Sequence, residues 1–151
     1  MLTASVPTRF GDLTVTEDAG AITRLGWGAA PRQDRSDLLS AATEQLLAYE
    51  AGRLEVFDLP LRVAGTDFQR AVCAQMRAIP FGETVTYGDI ARVLGAMPQA
   101  VGQACGGNPI PVIIPCHRVM GAKGLTGFSG AGGVETKVAL LRHEKAGGFL
   151  I

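Results

Sequence analysis

A short run that contains three prolines, residues 108–119, constrains the fold of this chain more than any other part of the sequence. Each proline fixes φ and removes a backbone donor, which excludes both a helix interior and an ordinary central strand. Between the prolines, residues 112–114 are apolar and β-branched, and this composition predicts a buried, extended segment. The run ends by presenting three chemically capable side chains in succession, those of Cys116, His117 and Arg118.

Cys116 has two interpretations. A cysteine that follows an apolar run is commonly a buried core thiol. A thiolate, by contrast, is a strong nucleophile, and a neighbouring imidazole or guanidinium favours the thiolate form. Burying His117 and Arg118 together in a core would be unfavourable, so this pair favours a nucleophilic Cys116 over a core thiol. Adjacent side chains of an extended segment point to opposite faces, so we expect no direct hydrogen bond between Cys116 and His117.

The composition excludes several classes of protein. A chain of 151 residues can form one domain or two small ones, and its 47% of hydrophobic and 19% of charged residues predict a folded, soluble protein. No apolar run approaches the length of a membrane span, and the first residues do not resemble a signal peptide. Three cysteines without a CxxC pair predict reduced thiols in the cytoplasm. With only His117 and His143, we expect no metal site.

The two parts of the chain differ in charge. Residues 1–64 contain six Lys or Arg and nine Asp or Glu, whereas residues 65–151 contain eight and five. The positive excess therefore lies in the part that carries Cys116. This is a weak indication of a nucleic-acid-binding surface.

Residues 1–62 are predicted to form a small α/β scaffold domain. Residues 12–17 alternate between polar and apolar, as in a half-exposed strand, and residues 21–27 form the return strand of a hairpin. Ser36 can cap a helix whose apolar residues share one face as far as Gly52. No residue of this domain suggests chemistry.

Residues 63–151 are predicted to form a mainly helical second domain, which makes the whole chain an α+β protein. Thr66 and Thr86 are N-cap signals for two helices, and Pro98 suits the first turn of a third. The second and third helices, joined by a tight turn at Gly95, form a helix-turn-helix candidate. An ordinary helical hairpin would give the same pattern.

The outer face of the third predicted helix favours the DNA-binding alternative. It carries small or uncharged residues, namely Gln99, Gly102, Gln103 and Gly106. A helix that is slim on one side lets a partner approach its backbone closely, as a groove-binding helix requires.

The last predicted helix covers residues 134–144. Lys137, Leu141 and Glu144 fall on one stripe, which would direct Glu144 inward, where a carboxylate needs a partner. The alternative is a surface carboxylate at a frayed helix end. Before this helix, the glycine-rich residues 121–133 are predicted to form a lid around a pocket.

From residue 65 to residue 144 the chain resembles the O6-alkylguanine-DNA alkyltransferases, which are also called methylated-DNA–protein-cysteine methyltransferases. The resemblance covers about 80 of the 151 residues in the right order, and its most specific part is the run Pro-Cys-His-Arg-Val at 115–119. The other matching stretches are residues 65–69, 79–82, 86–87, 100–102, 108–109, 127–130, Lys137, Leu140, Leu141 and Glu144. The resemblance implies a ribonuclease-H-like variable domain, here short, followed by a domain with a winged helix-turn-helix-like motif.

The resemblance also implies a chemistry. Cys116 would accept the alkyl group, and His117, oriented by Glu144, would activate it through a bridging water. Tyr87 would press on a DNA phosphate to rotate the nucleotide out of the duplex, and it could protonate the departing base. The bond from sulfur to the alkyl group cannot be hydrolysed like an ester, so each molecule would react only once. No cofactor is implied.

Two further sets of residues follow from the resemblance. The residues implied to bind the substrate or shape its pocket are Asn108, Val119, Ser129, Phe128 and Cys105. The residues implied to lie at the DNA are Gln99, Ala100, Gly102, Gln103, Thr86 and Arg118. One departure concerns the flipping step, because the family usually has arginine where this chain has Gln99, and the loop before it is shorter here.

The implied function is repair of double-stranded DNA that carries O6-alkylguanine, and also of O4-alkylthymine, by a monomeric protein. An alternative is an alkyltransferase-like protein that binds lesions without repairing them, but such proteins generally lack the acceptor cysteine. A Cys-His-Glu hydrolase would need an oxyanion hole, which the sequence does not indicate.

Overall fold

The computed structural model describes residues 1–121 and 133–146. The chain divides into two compact units, an N-terminal unit of Met1–Ala64 and a C-terminal unit of Gly65–Ile151. Helices and strands are both present, and the predicted α+β class is confirmed. No helix within the described ranges is long and apolar enough to cross a membrane.

The N-terminal unit is a three-stranded antiparallel sheet packed against one helix. Its strands, in spatial order, are β1 (Leu2–Thr8), β2 (Gly11–Asp18) and β3 (Ala21–Trp27), and its helix is α1 (Asp37–Glu50). The predicted hairpin corresponds to β2 and β3. The Ser36 hydroxyl accepts the Leu39 amide at 3.0 Å, which confirms the predicted cap of α1.

Strand β1 was not predicted. Its Pro7 lowers any expectation of a strand, but β1 lies at the edge of the sheet, where a missing amide donor is tolerated. Ala4 and Val6, which alternate with more exposed neighbours, are both buried.

The C-terminal unit consists of four helices, a 3-10 turn and one short ladder within its described residues. The helices are α2 (Asp67–Arg77), α3 (Tyr87–Leu94), α4 (Pro98–Gly106) and α5 (Val134–Glu144). The wing-like element is a parallel ladder of two residues per strand, formed by β4 (Val85–Thr86) and β5 (Val119–Met120).

The helix ends follow from local sequence signals. The side chains of Thr66 and Thr86 accept the amides of the third residues after them, and Thr86 forms a reciprocal capping box with Asp89. Gly95 ends α3 in the left-handed conformation, and Pro98 occupies the first turn of α4, both as predicted. A connection of three residues, 95–97, separates α3 from α4, as in a helix-turn-helix.

The apolar run at 112–114 is buried, as predicted, but it is not extended. The amide of Ile113 donates to the carbonyl of Pro111 at 2.9 Å, and Val112 between them has φ of 71°. This is a γ-turn in which a β-branched residue occupies a strained conformation. The prolines that exclude a helix and a ladder leave the chain to turn here, and the prediction of an extended segment was wrong.

Candidate active site

The candidate nucleophile lies on a tight turn rather than on an extended segment. Residues Cys116–Arg118 form one turn of 3-10 helix, in which the Arg118 amide donates to the Pro115 carbonyl at 3.0 Å. Contrary to the prediction, Cys116 and His117 therefore do not alternate between the two faces of an extended strand. Cys116 is half-buried, whereas Cys73 and Cys105 are buried, so Cys116 is the most accessible of the three thiols.

Asn108 braces the turn that leads from α4 to Cys116. Its side-chain amide donates to the Ile114 carbonyl at 2.8 Å, and its side-chain oxygen accepts the Ile110 amide at 3.0 Å. Burial raises the pKa of the Cys116 thiol, and a hydrogen bond with Asn108 acts against this rise. Asn108 therefore connects the end of α4 both to the shape of the turn and to the ionisation of the thiol.

Glu144, at the end of α5, is 2% exposed and carries three short polar contacts. Its Oε2 lies 2.7 Å from Nε2 of His117 and 3.0 Å from an Arg118 nitrogen, and its Oε1 lies 2.8 Å from Nε of Arg118. Burial alone would raise the pKa of this carboxyl, but the hydrogen bonds from His117 and Arg118 lower it to about 2. The inward direction of Glu144 is confirmed, and the carboxylate is ionised at neutral pH.

The contacts of His117 define its tautomer. A carboxylate can only accept, so Nε2 of His117 must carry the hydrogen that it shares with Glu144. Burial lowers the pKa of this imidazole, against the opposing effect of Glu144, and it is therefore neutral at pH 7. In the neutral ring Nδ1 is an acceptor, and this buried atom has no hydrogen-bond partner within residues 1–121 and 133–146. An unpaired basic nitrogen thus lies one residue from the thiol.

The expectation that Arg118 lies at the DNA was wrong. Arg118 is 6% exposed, and its guanidinium contacts both oxygens of Glu144 and the Ile79 carbonyl at 2.7 Å. Withdrawing it toward a phosphate would leave the Glu144 carboxylate buried with a weaker partner, which is strongly unfavourable. Arg118 instead holds Glu144 in place and ionised.

Lys137 belongs to the site, although no role was predicted for it from the sequence. Its Nζ donates to the Val119 carbonyl at 2.6 Å, and the residue is 1% exposed. Burial lowers the pKa of Lys137, while the nearby thiols of Cys116 and Cys105 raise it. Two signals were present in the sequence, since Lys137 shares a helical stripe with Glu144 and is one of the positions that match the alkyltransferase family. Its positive charge lowers the pKa of Cys116 and so favours the thiolate.

Replacing Lys137 by methionine is therefore expected to slow the alkylation of Cys116 near neutral pH, because loss of the positive charge raises the pKa of the thiol and leaves less thiolate. The measurement is the rate of modification of Cys116 by a neutral thiol-alkylating reagent as a function of pH. The curve should move to higher pH and recover its upper limit there. Lys145→Met, at an exposed position just after α5, is the control and should leave the curve unchanged. An equal loss at every pH would mean that Lys137 acts only on the structure.

The other candidates are distributed around this centre. Val119 is buried, and Cys105 is buried with a pKa raised by that burial to about 12, as suits a wall rather than a nucleophile. Tyr87 begins α3 and is half-buried, while the Thr86 side chain is occupied by the helix cap. Phe128, Ser129 and the predicted lid at 121–133 lie outside the described residues, apart from the ends of that lid.

The outer face of α4 is open. Gln99 and Gln103 are exposed, and Ala100 and Gly102 are half-exposed. A Cβ placed on Gly102 or Gly106 would meet nothing within 4 Å, so internal packing does not require glycine at these positions. Within the described ranges, no group of three or more His, Cys, Asp or Glu residues is arranged to hold a metal ion.

Comparison with known proteins identifies the family. The family model described as "6-O-methylguanine DNA methyltransferase, DNA binding domain" matches residues 67–146. The chain is 46% identical over 125 residues to a methylated-DNA–protein-cysteine methyltransferase of Mycolicibacterium paratuberculosis, covering 81% of this chain and 72% of that protein. It is also 46% identical over 114 residues to a protein of the same name from Methanosarcina acetivorans, covering 74% of this chain and 72% of the relative.

A solved structure extends the likeness to nearly the whole chain. The crystal structure of Mycobacterium tuberculosis OGT in complex with DNA matches with a TM-score of 0.86 and 40% identity, covering 96% of this chain and 93% of that one. The matched family model includes Cys116, His117 and Glu144. The chain therefore belongs to the O6-alkylguanine-DNA alkyltransferase family, the methylated-DNA–protein-cysteine methyltransferases.

Proposed function

We propose that this protein repairs double-stranded DNA by transferring the alkyl group of O6-alkylguanine, and of O4-alkylthymine, irreversibly to Cys116. The observation that carries the proposal is the arrangement around His117, the residue next to Cys116 in the chain, where Glu144 holds Nε2 and Nδ1 has no hydrogen-bond partner among the described residues. The presence of Cys116 favours transfer over binding of the lesion alone. The names of the relatives describe the same reaction for those proteins.

Activation of the thiol follows from the tautomer of His117. A water molecule between Nδ1 and Sγ of Cys116 would satisfy the unpaired nitrogen and carry the thiol proton to it. The resulting imidazolium would be stabilised by Glu144, which Arg118 keeps ionised. Lys137 and Asn108 both favour the thiolate, and they offset part of the effect of burial on its pKa.

The transfer step exchanges one bond for another. The thiolate of Cys116 attacks the alkyl carbon, an S–C bond forms, and the bond between that carbon and O6 of the base breaks. The base leaves with the electron pair and takes up one proton, which the Tyr87 hydroxyl would donate. The product thioether has no acyl or phosphoryl group for water to attack, so each molecule reacts once.

The base must leave the duplex before it can react, because an atom inside the stack is out of reach of a half-buried thiol. We propose that Val119 and Cys105 line the pocket that receives it, that Asn108 shapes the adjoining turn, and that Tyr87 helps to rotate the nucleotide. Residues 63–151 carry this work, and residues 1–62 serve as a scaffold.

We also propose that α4 enters a groove of the DNA. Its exposed side carries no charged residue, and its first turn carries no acidic one. The open space above Gly102 and Gly106 fits close approach of a partner to the helix backbone. Gln99, Ala100 and Gln103 would then lie at the DNA, with Thr86 at the start of the neighbouring helix.

Gly102→Ala is expected to stabilise the protein and weaken its DNA binding. Alanine in a helix interior is more favourable than glycine by about 1 kcal/mol, and the new methyl group meets no other protein atom. The same methyl group would occupy space that the DNA needs. The measurements are the thermal unfolding midpoint, which should rise, and the Kd for a duplex oligonucleotide, which should rise as well.

The control for Gly102→Ala is Ser40→Ala on the exposed side of α1. It also replaces a weaker helix former by alanine, and it should stabilise the protein without changing the Kd. An unchanged Kd for Gly102→Ala would show that this face of α4 does not touch DNA.

We further propose that the protein acts as a monomer in the cytoplasm, without metal or cofactor. All the groups that the reaction needs come from one chain, and its three cysteines are free, as a reducing compartment would keep them. The test of the proposed function is the mass of the intact protein after incubation with a duplex oligonucleotide that carries O6-methylguanine. A permanent gain of one methyl group is expected, and no gain would refute the proposal.

A further inference from the structure

Two large apolar side chains are exposed at the turn between α3 and α4. Val93, in the last turn of α3, is 66% exposed, and Met97, which immediately precedes α4, is 71% exposed. Only the left-handed turn at Gly95 and its neighbours separate them. Exposed apolar side chains are common singly, but two so close together on a turn of a DNA-binding unit call for an explanation.

Met97 also differs from the N-cap residues of α2 and α3. It occupies the N-cap of α4 with extended backbone angles, and its side chain makes no capping hydrogen bond. Helices α2 and α3 both begin with a threonine that does make one. A serine or threonine at position 97 would satisfy an amide of the first turn and stabilise the helix. Met97 therefore contributes less to folding than a small polar residue would.

Met97 lies at the N-terminus of α4, the second helix of the helix-turn-helix. In a helix-turn-helix, residues at the N-terminus of the second helix approach the base edges. Proteins that distort DNA frequently insert an apolar side chain between neighbouring base pairs, and methionine is among the residues used. Its unbranched, flexible thioether adapts to an irregular space. Gln99, two residues later, is exposed but carries no charge.

We propose that Met97 is the wedge that fills the base stack when the damaged nucleotide is extruded, with Val93 packing beside the same step of the duplex. The inference rests on the proposed function, since extrusion is needed only if an alkylated base reacts at Cys116. A nucleotide that leaves the stack creates an apolar gap between two base pairs. An exposed methionine at the start of α4 gains an apolar environment by entering that gap, and so stabilises the extruded state.

The test compares Met97→Ser with Met97→Leu. Serine restores a capping side chain, so the variant should fold at least as stably as the parent, and a loss of function cannot be attributed to unfolding. Leucine keeps an apolar side chain of similar size. The control is Val56→Ser, which removes a 77% exposed valine from the N-terminal unit.

The rate of alkyl transfer is measured with excess protein on three substrates: an O6-methylguanine duplex, the same single strand, and the free O6-alkylguanine base. Met97→Ser should lower the duplex rate roughly tenfold, because the extruded state becomes less populated, and should leave the other two rates unchanged. Met97→Leu and Val56→Ser should match the parent on all three. Adding Gln99→Arg to Met97→Ser should restore part of the duplex rate, since arginine can also fill the gap.

An unchanged duplex rate for Met97→Ser, or an equal loss on all three substrates, would overturn the inference while leaving the proposed function intact. Absence of transfer by the parent protein from any substrate would instead refute the proposed function, and the wedge with it.

Discussion

Cys116→Ala is expected to abolish alkyl transfer while leaving the affinity for duplex DNA within a fewfold of the parent. Cys116 is half-buried and next to His117 in the chain. Lys137 and Asn108 both lower the pKa of its thiol and so favour the thiolate. Alanine removes the sulfur and only a small volume, so neither the turn nor α4 should change. The measurements are the intact mass after incubation with an O6-methylguanine duplex and the Kd for the same duplex.

Cys73→Ala and Cys105→Ala are the matched controls for this experiment. Both thiols are buried, whereas Cys116 is half-buried, and burial raises the pKa of both, that of Cys105 to about 12, so we expect neither to accept the alkyl group. Both variants should retain transfer. A methyl group located on Cys73 or Cys105 by peptide mapping would contradict the assignment of Cys116.

Glu144→Gln is expected to lower both the stability of the protein and the rate of transfer. Glutamine has the same shape but no charge, and it leaves the buried Arg118 guanidinium without its counter-ion. Breaking a buried ion pair from one side typically costs about 3–5 kcal/mol. The glutamine amide can donate as well as accept, so Nε2 of His117 no longer has to carry the hydrogen. In part of the molecules the hydrogen will then lie on Nδ1, which is no longer a base. The measurements are denaturant unfolding and single-turnover transfer, which should slow by roughly a hundredfold or more.

Two further variants separate the effects of Glu144 on stability and on catalysis. Glu135→Gln, in the exposed first turn of the same helix, should change neither property. Combining Glu144→Gln with Arg118→Met removes both buried charges, so much of the stability should return while transfer stays slow. His117→Ala added to Glu144→Gln should cost little more than either alone, because the two residues act as a unit. Additive losses would show that they work independently.

The dependence of the free energy of unfolding on pH in the acid range gives a further test of Glu144. Its pKa is about 2 in the folded protein, against an ordinary value of 4.5. A carboxyl with a depressed folded pKa stabilises the protein above its unfolded pKa, and this contribution is lost as pH falls through the folded pKa. The stability of the parent should therefore fall between about pH 4.5 and about pH 2, and Glu144→Gln should lack this part of the fall.

Local signals predicted the helices of this protein well. The caps at Ser36, Thr66 and Thr86, and the stop at Gly95, act within four residues, so the sequence alone specifies them. The burial of Glu144 was also predictable, because the helical stripe of α5 is a pattern of nearby residues. The edge strand β1 escaped prediction because pairing with β2, not its own composition, stabilises it.

The parts that were missed depend on partners distant in sequence or on backbone strain. A β-branched residue rarely adopts positive φ, so the identity of Val112 argued against a turn at this position, although the prolines around it allow one. Arg118 looked like a DNA contact because a guanidinium is normally exposed. It is buried only because Glu144, 26 residues later, neutralises it. Lys137 likewise has a role only through the Val119 carbonyl and the thiols that folding brings near it.

The site is anchored at an unusual place, because Glu144 is the last residue of α5. Helix ends are ordinarily the first parts of a protein to open. Here opening of that final turn would release His117 and Arg118 at once, so the fraction of molecules able to react cannot exceed the fraction in which the turn is closed. A fusion partner or affinity tag attached after α5 would act directly on this equilibrium. One attached before β1 would not, and the amino terminus is therefore the better place to label the protein.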